Sequence, residues 1–154
     1  MKHTISVLTQ NEAGALSRIV NLFSSRGYNI ESLTVATTFD TKYARSTIVT
    51  RGDDAVIEQI LKQLNRLIPV IKVADLNHET AISLELVLAK VIVKETDKPE
   101  LLKLIENFGG KIINVDQKEY TIQAVCDERQ LKSLIEVLKP FGIKEIVHSG
   151  AVSI

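Results

Sequence analysis

HTISVLTQNEAGALSRIVNLF, residues His3 to Phe23, holds a change of period that decides the fold. A β-rich run over His3–Thr9 is followed by Leu16, Ile19, Val20 and Phe23, spaced i, i+3, i+4, i+7 as on one face of an α-helix. Working outward, the same helical spacing returns three times. It is carried by Ile57, Ile60, Leu61 and Leu64, by Leu101, Leu104, Ile105 and Phe108, and by Leu131, Leu134, Ile135 and Leu138. Further β-rich runs lie at Ile30–Thr37, Ala44–Arg51, Val70–Leu76, Ile82–Lys94, Lys111–Gln117, Glu119–Cys126 and Lys144–Val152. The order is βαββαβ, twice over.

Punctuation agrees with this order. Asp53 suits an N-cap for the second helix, and Asp127 with Gln130 three residues on resembles a capping box for the fourth. Pro99 falls in a first helical turn, where a missing N–H costs little. Gly27, Gly109 and Gly142 follow helices, where a left-handed residue is wanted. The expected fold class is α+β, two ferredoxin-like βαββαβ domains in tandem, each of about 75 residues. The expected division is 1–76, a short polar linker at 77–81, and 82–154. A four-stranded sheet with helices on one face leaves its other face bare. The run Ile82–Lys94 has leucines at 84, 86 and 88 on one side and Val87, Ala89, Val91 and Val93 on the other, so it is apolar on both faces. Self-association, or burial against a partner, is expected.

Composition narrows the function. The 154 residues are 45% hydrophobic and 25% charged, enough for a real core. Formal net charge is +0, which points away from nucleic acid and from charged membrane surfaces. No apolar run approaches the roughly 20 residues of a transmembrane helix, and no signal-peptide h-region follows Met1. One cysteine gives no disulfide framework and no metal site, so a cytoplasmic protein is expected. His3, His78 and His148 are scattered and read as solvated or strand-edge residues, and Cys126 as a core residue. Neither a catalytic constellation nor a cofactor motif is present, so this chain is read as non-catalytic and without a cofactor or metal of its own.

The junction Asn11-Glu12-Ala13-Gly14-Ala15-Leu16 carries more. Asn11 is a good helix cap by type, which would place Gly14 and Ala15 in the first turn. A glycine there costs about 1 kcal/mol against alanine. Bare amides at a helix N-terminus suit a carboxylate. Asn29, entering the next strand before Ile30, offers uncharged donors and an acceptor. Together these groups would satisfy a zwitterion and leave a small apolar recess for its side chain. The second half supplies a control. Its corresponding loop, Val93 to Glu100, has no glycine, and Gly109-Gly110-Lys111 puts lysine roughly where Asn29 would be. The fold pattern repeats and the pocket pattern does not.

Two blocks make the chain resemble a known family. Asn11-Glu12-Ala13-Gly14-Ala15-Leu16-Ser17-Arg18, and the long run from Leu22 to Ala36 containing Arg26-Gly27-Tyr28-Asn29-Ile30-Glu31-Ser32-Leu33, closely resemble the small regulatory subunit of acetolactate synthase (acetohydroxyacid synthase). The resemblance implies an N-terminal ACT domain, a homodimer formed through those domains, and feedback amino acids bound at the dimer interface, valine being usual in bacteria. It places effector contacts on Asn11, Gly14, Ala15 and Leu16 of one subunit and Asn29 and Ile30 of the other. It implies a large catalytic subunit that carries thiamine diphosphate, FAD and magnesium. The small subunit would raise that subunit's activity and confer feedback inhibition in branched-chain amino acid biosynthesis. The sequence departs from the family at Thr37-Thr38, where many members have a proline. The alternative is a stand-alone tandem-ACT sensor acting on another partner.

Overall fold

A computed structural model describes residues 1–76 and 81–154. The expected linker therefore falls almost wholly outside the described residues. Two compact units result, Met1–Ser83 with Ala151–Ile154, and Leu84–Gly150.

The first unit runs β1 (Lys2–Gln10), α1 (Ala15–Ser25), β2 (Ile30–Thr37), β3 (Tyr43–Arg51), α2 (Asp54–Leu64) and β4 (Val70–Asp75). Its antiparallel sheet has the order β2-β3-β1-β4, with β2 and β4 at the edges. The strand period of two separates its faces. Ile5 and Val7 of β1 and Ile48 of β3 point to the side that carries the helices, where Ile19, Phe23, Ile57, Ile60 and Leu64 close the core. These are the positions the helical spacing singles out. Leu16 and Val20 share that spacing but stay exposed. Asp53 caps α2, its carboxylate accepting from the Val56 N–H at 2.8 Å.

Over the opposite face of this sheet lies the segment Ala151–Ile154. The Ala151 N–H donates to Ser32 Oγ at 3.2 Å. Ile154 lines a groove of about 160 Å³ with Ser6, Leu8, Arg45, Lys72 and Ala74.

The second unit repeats the order with β5 (Ser83–Ile92), α3 (Lys98–Asn107), β6 (Lys111–Asp116), β7 (Glu119–Cys126), α4 (Glu128–Leu138), a 3₁₀ turn at Lys139–Phe141 and β8 (Ile143–His148). Its strand order is β6-β7-β5-β8. Val87, Ala89, Val91, Ile122, Ala124, Leu101, Leu134 and Leu138 form its core. Asp127 and Gln130 make the expected reciprocal capping box at 2.8 and 3.0 Å. The other face of β5 stays open in the single chain, with Leu84, Leu86 and Leu88 about 40% exposed.

Two expectations about the frame need correction. The last apolar run is not one strand over Lys144–Val152. β8 stops at His148, Gly150 turns at φ 79°, and a two-residue β9 (Val152–Ser153) pairs with the start of β5, Ile82 and Ile154 exchanging backbone bonds of 3.0 Å. β-prone residues stand on both sides of the glycine, Ile146 and Val147 before it and Val152 after it, and hide the break. His3 is not solvated. It shares the parity of Ile5 and Val7, is 6% exposed, and places Nδ1 3.2 Å from the Asp75 carboxylate. Its Nε2 meets no partner among the described residues. His148 is exposed, as expected, and sits 2.6 Å from Glu85. His78 lies outside the described residues.

Candidate functional site

Asn11, a good helix cap by residue type, does not cap α1. The helix begins at Ala15, and its N-cap is Gly14 at φ 86°, with no side-chain cap bond. The Asn11 amide reaches sideways instead, its Nδ2 donating to the Thr41 carbonyl at 2.8 Å while its own N–H donates to Lys42 O at 2.7 Å. Two carbonyls of the β2–β3 hairpin thus outcompete the helix for this residue. Because a carbonyl can only accept, the amide is oriented, and Oδ1 of this exposed residue is left as an acceptor.

Gly14 is needed for its backbone. A residue with a Cβ is disfavoured by about 1–2 kcal/mol in the left-handed region. A Cβ placed there would meet nothing within 4 Å, so the space above the helix end is open. Ala15 turns its methyl into the core, and its N–H already donates to Glu12 O at 3.2 Å. The Leu16 and Ser17 amides have no backbone partner among the described residues. The Asn11 acceptor, the Leu16 and Ser17 amides and the exposed Leu16 side chain all belong to the stretch Asn11–Ser17 at this open helix end. By type, such groups can bond an ammonium and a carboxylate and touch a small apolar group.

Asn29 and Ile30 are elsewhere. The turn leading to them is fixed by Gly27 at φ 71° and by the Tyr28 N–H donating to Phe23 O at 2.9 Å. Thr50 Oγ1 donates to the Asn29 carbonyl at 2.6 Å, pinning the residue while its side chain stays exposed. Ile30 is half-buried against the core. Register measures the separation. Ile30 pairs with Thr50, which pairs with His3, at the start of β1. Asn11 follows Gln10, which pairs with Tyr43 at the other end. The length of β1 from His3 to Gln10 intervenes, about 24 Å at the usual rise. The structure brings Asn11, Gly14, Ala15 and Leu16 together, and Asn29 with Ile30, but does not bring the two groups together within one chain.

Sequence reasoning missed the loop that holds Asn11. Asp40 organises it, with Oδ1 accepting from Lys42 N at 3.0 Å and its carbonyl accepting from Tyr43 N and Thr38 Oγ1. An aspartate between two strands is a turn signal that would have marked it.

Similarity to known proteins places this geometry in a family. Residues 5–72 match the family model described as the AHAS small subunit-like ACT domain, and residues 84–154 match that described as the small subunit of acetolactate synthase. The acetolactate synthase small subunit of Aquifex aeolicus (strain VF5) is 44% identical over 153 residues, covering 99% of this chain and 80% of that protein.

The chain belongs to the acetolactate synthase small-subunit family.

The small subunit of Haemophilus influenzae (strain ATCC 51907 / DSM 11121 / KW20 / Rd) is also 44% identical, covering 100% of this chain and 95% of that protein. Shape agrees with sequence. The crystal structure of the small subunit from Thermotoga maritima superposes with a TM-score of 0.91 at 34% identity, covering 100% of this chain and 96% of that one. The first unit is thus an ACT-type domain, and both are ferredoxin-like.

In this family member, α3 of the second unit starts without the first unit's device. Its N-cap Asp97 has ordinary right-handed geometry, and no glycine opens the helix end. Among the described residues, no group of three or more His, Cys, Asp and Glu side chains is placed to hold a metal ion. None of the described helices is long and apolar enough to cross a membrane. Cys126 is 1% exposed, and burial, with Asp127 and Glu85 nearby, pushes its thiol up and away from the reactive thiolate.

Proposed function

We propose that this chain is the non-catalytic regulatory partner of a large acetolactate synthase subunit. It would raise that subunit's activity and confer feedback inhibition by a branched-chain amino acid, valine first, in the pathway that makes such amino acids. Thiamine diphosphate, FAD and magnesium belong to the large subunit in this reading. Residues 1–76 are the sensing domain and 82–154 the C-terminal domain.

The observation that carries the reading is the separation of about 24 Å between the two groups of residues, combined with an open edge. Asn11 and Asn29 cannot grip one small amino acid within a chain. β2 lies at the edge of its sheet, and an antiparallel pairing of two β2 edges is a closed, self-complementary association. It turns the Ile30 end of one copy toward the Thr37 end of the other. Thr37 pairs with Ala44, and Ala44 with Thr9, two residues from Asn11. Each pocket then takes Asn11, Gly14, Ala15 and Leu16 from one copy and Asn29 with Ile30 from the other. The exposed Leu16, Val20 and Val35 supply apolar surface for the contact.

Valine bound there ties two chains in one relative packing. It can act on the catalytic partner only through its difference in affinity between packings. The test is an activity assay of a large subunit alone, with this chain, and with this chain and valine. Stimulation by the chain and loss of activity on adding valine are expected. No change in either step would overturn the proposal and favour the stand-alone sensor.

A further inference from the structure

Phe39 stands at the tip of the β2–β3 hairpin, 107% exposed. A single exposed apolar residue needs no explanation by itself. This one differs in how firmly it is presented. Thr38 N donates to Tyr43 O at 3.0 Å, Tyr43 N to Asp40 O at 3.0 Å, and Lys42 N to the Asp40 carboxylate at 3.0 Å. Thr38 Oγ1 donates to Asp40 O at 2.8 Å, and Asn11 adds its two bonds from outside the hairpin. The turn itself is made by Asp40, so it does not require an aromatic neighbour. A hydrogen-bonded backbone leaves only the ring's own torsions to be ordered on binding, which lowers the cost of docking it.

Register says what it would meet. Side chains alternate along β2 from Ser32 onward, so a pairing of two β2 edges that keeps both pairs of helices on one side sets residues of equal parity opposite each other there, and the register shift between Ile30 and Ser32 moves earlier positions by one residue. Centred on Leu33, such a pairing brings Phe39 to Arg26 and Gly27 of the second copy. Centred on Thr34, it brings Phe39 to Tyr28 and Asn29. Either way the ring arrives at the turn Arg26–Asn29. That turn has room and complementary chemistry. A Cβ on Gly27 would meet nothing within 4 Å, Arg26 is exposed, and the Tyr28 ring is braced edge-on against Phe23 at 6.3 Å and by its hydroxyl to Gln59.

We propose that Phe39 is the intersubunit anchor of the ACT dimer. Its ring docks over Gly27 and beside Tyr28 of a second copy, and walls the pocket formed between that copy's Asn29 and its own Asn11. This rests on the two-copy reading above.

The test is sedimentation equilibrium of the full chain as wild type, Phe39→Ala, Phe39→Leu and Val35→Glu. Phe39→Ala should weaken dimerisation about tenfold or more, as for a buried aromatic anchor, with Phe39→Leu recovering most of the loss. An unchanged dimer for Phe39→Ala overturns the anchor. It leaves the edge-strand reading standing if Val35→Glu dissociates the chain, and removes both if Val35→Glu also dimerises as wild type. Oxidation of Phe39→Cys/Tyr28→Cys should trap covalent dimers that neither single variant forms in comparable yield, Cys126 being buried. Absence of trapping also overturns the proposal.

Discussion

Gly14 is where conformation and ligand binding are separable by experiment. Its φ of 86° is the left-handed region, and nothing lies within 4 Å of where a Cβ would stand, so Gly14→Ala meets no clash and incurs only the backbone penalty. That penalty is about 1–2 kcal/mol, which for a unit of this size lowers the melting temperature by roughly 5–10 °C. Asparagine enters the left-handed region more readily, so Gly14→Asn should stay within about 1 kcal/mol of wild type. It nevertheless places a side chain in the open space at the start of α1. Calorimetric denaturation with valine titration on the same samples gives both numbers. The expected pattern is Gly14→Ala destabilised, Gly14→Asn nearly as stable as wild type, and Gly14→Asn without measurable valine heat. Gly109 has φ 62° and equally open surroundings in the second unit, so Gly109→Asn is the matched control and should bind valine normally. Full valine affinity in Gly14→Asn would refute the assignment and leave Gly14 a purely conformational residue.

Other perturbations probe the frame around the site. Asp127→Ala removes one half of the capping box and should cost about 1 kcal/mol in urea denaturation, while the valine response of a large-subunit complex stays as in wild type. Asn11→Ala should loosen the Thr38–Lys42 hairpin as well as weaken valine binding, seen as faster amide exchange at Lys42. Cys126 should resist alkylation in the native chain at mildly alkaline pH and react once urea is added. Because its folded thiol is raised, the stability it lends is complete below the unfolded thiol's value and falls as pH rises through the folded one, so denaturation midpoints should drop on the alkaline side only.

Much of the frame is legible without coordinates, for local reasons. Ile19, Phe23, Ile57 and Ile60 sit in the core because their spacing matches a helical turn, and Asp53 and Asp127 cap because a short carboxylate reaches the amide three residues on. His3 is legible too, since it keeps the parity of Ile5 and Val7, but residue type argues against burial. Asn11 misleads for the opposite reason. It is a good cap by type, and the true partner of its side chain, Thr41 O, lies 30 residues away in sequence. The break at Gly150 is hidden by the β-prone residues on both sides of it. The proposed site residues stand out by contrast between the halves, yet periodicity cannot tell that two of them lie at one end of a strand and four at the other. That follows only from register.

The central claim, one pocket built from two chains, is tested most directly by mixing. Asn11→Ala and Asn29→Ala chains should each fail to bind valine alone. Unfolded and refolded together, they form heterodimers in which one pocket holds both mutations and the other holds both native asparagines. Random assortment then restores about a quarter of the wild-type valine sites, with wild-type affinity, in calorimetry. A mixture that binds no more valine than its two components apart would contradict the account.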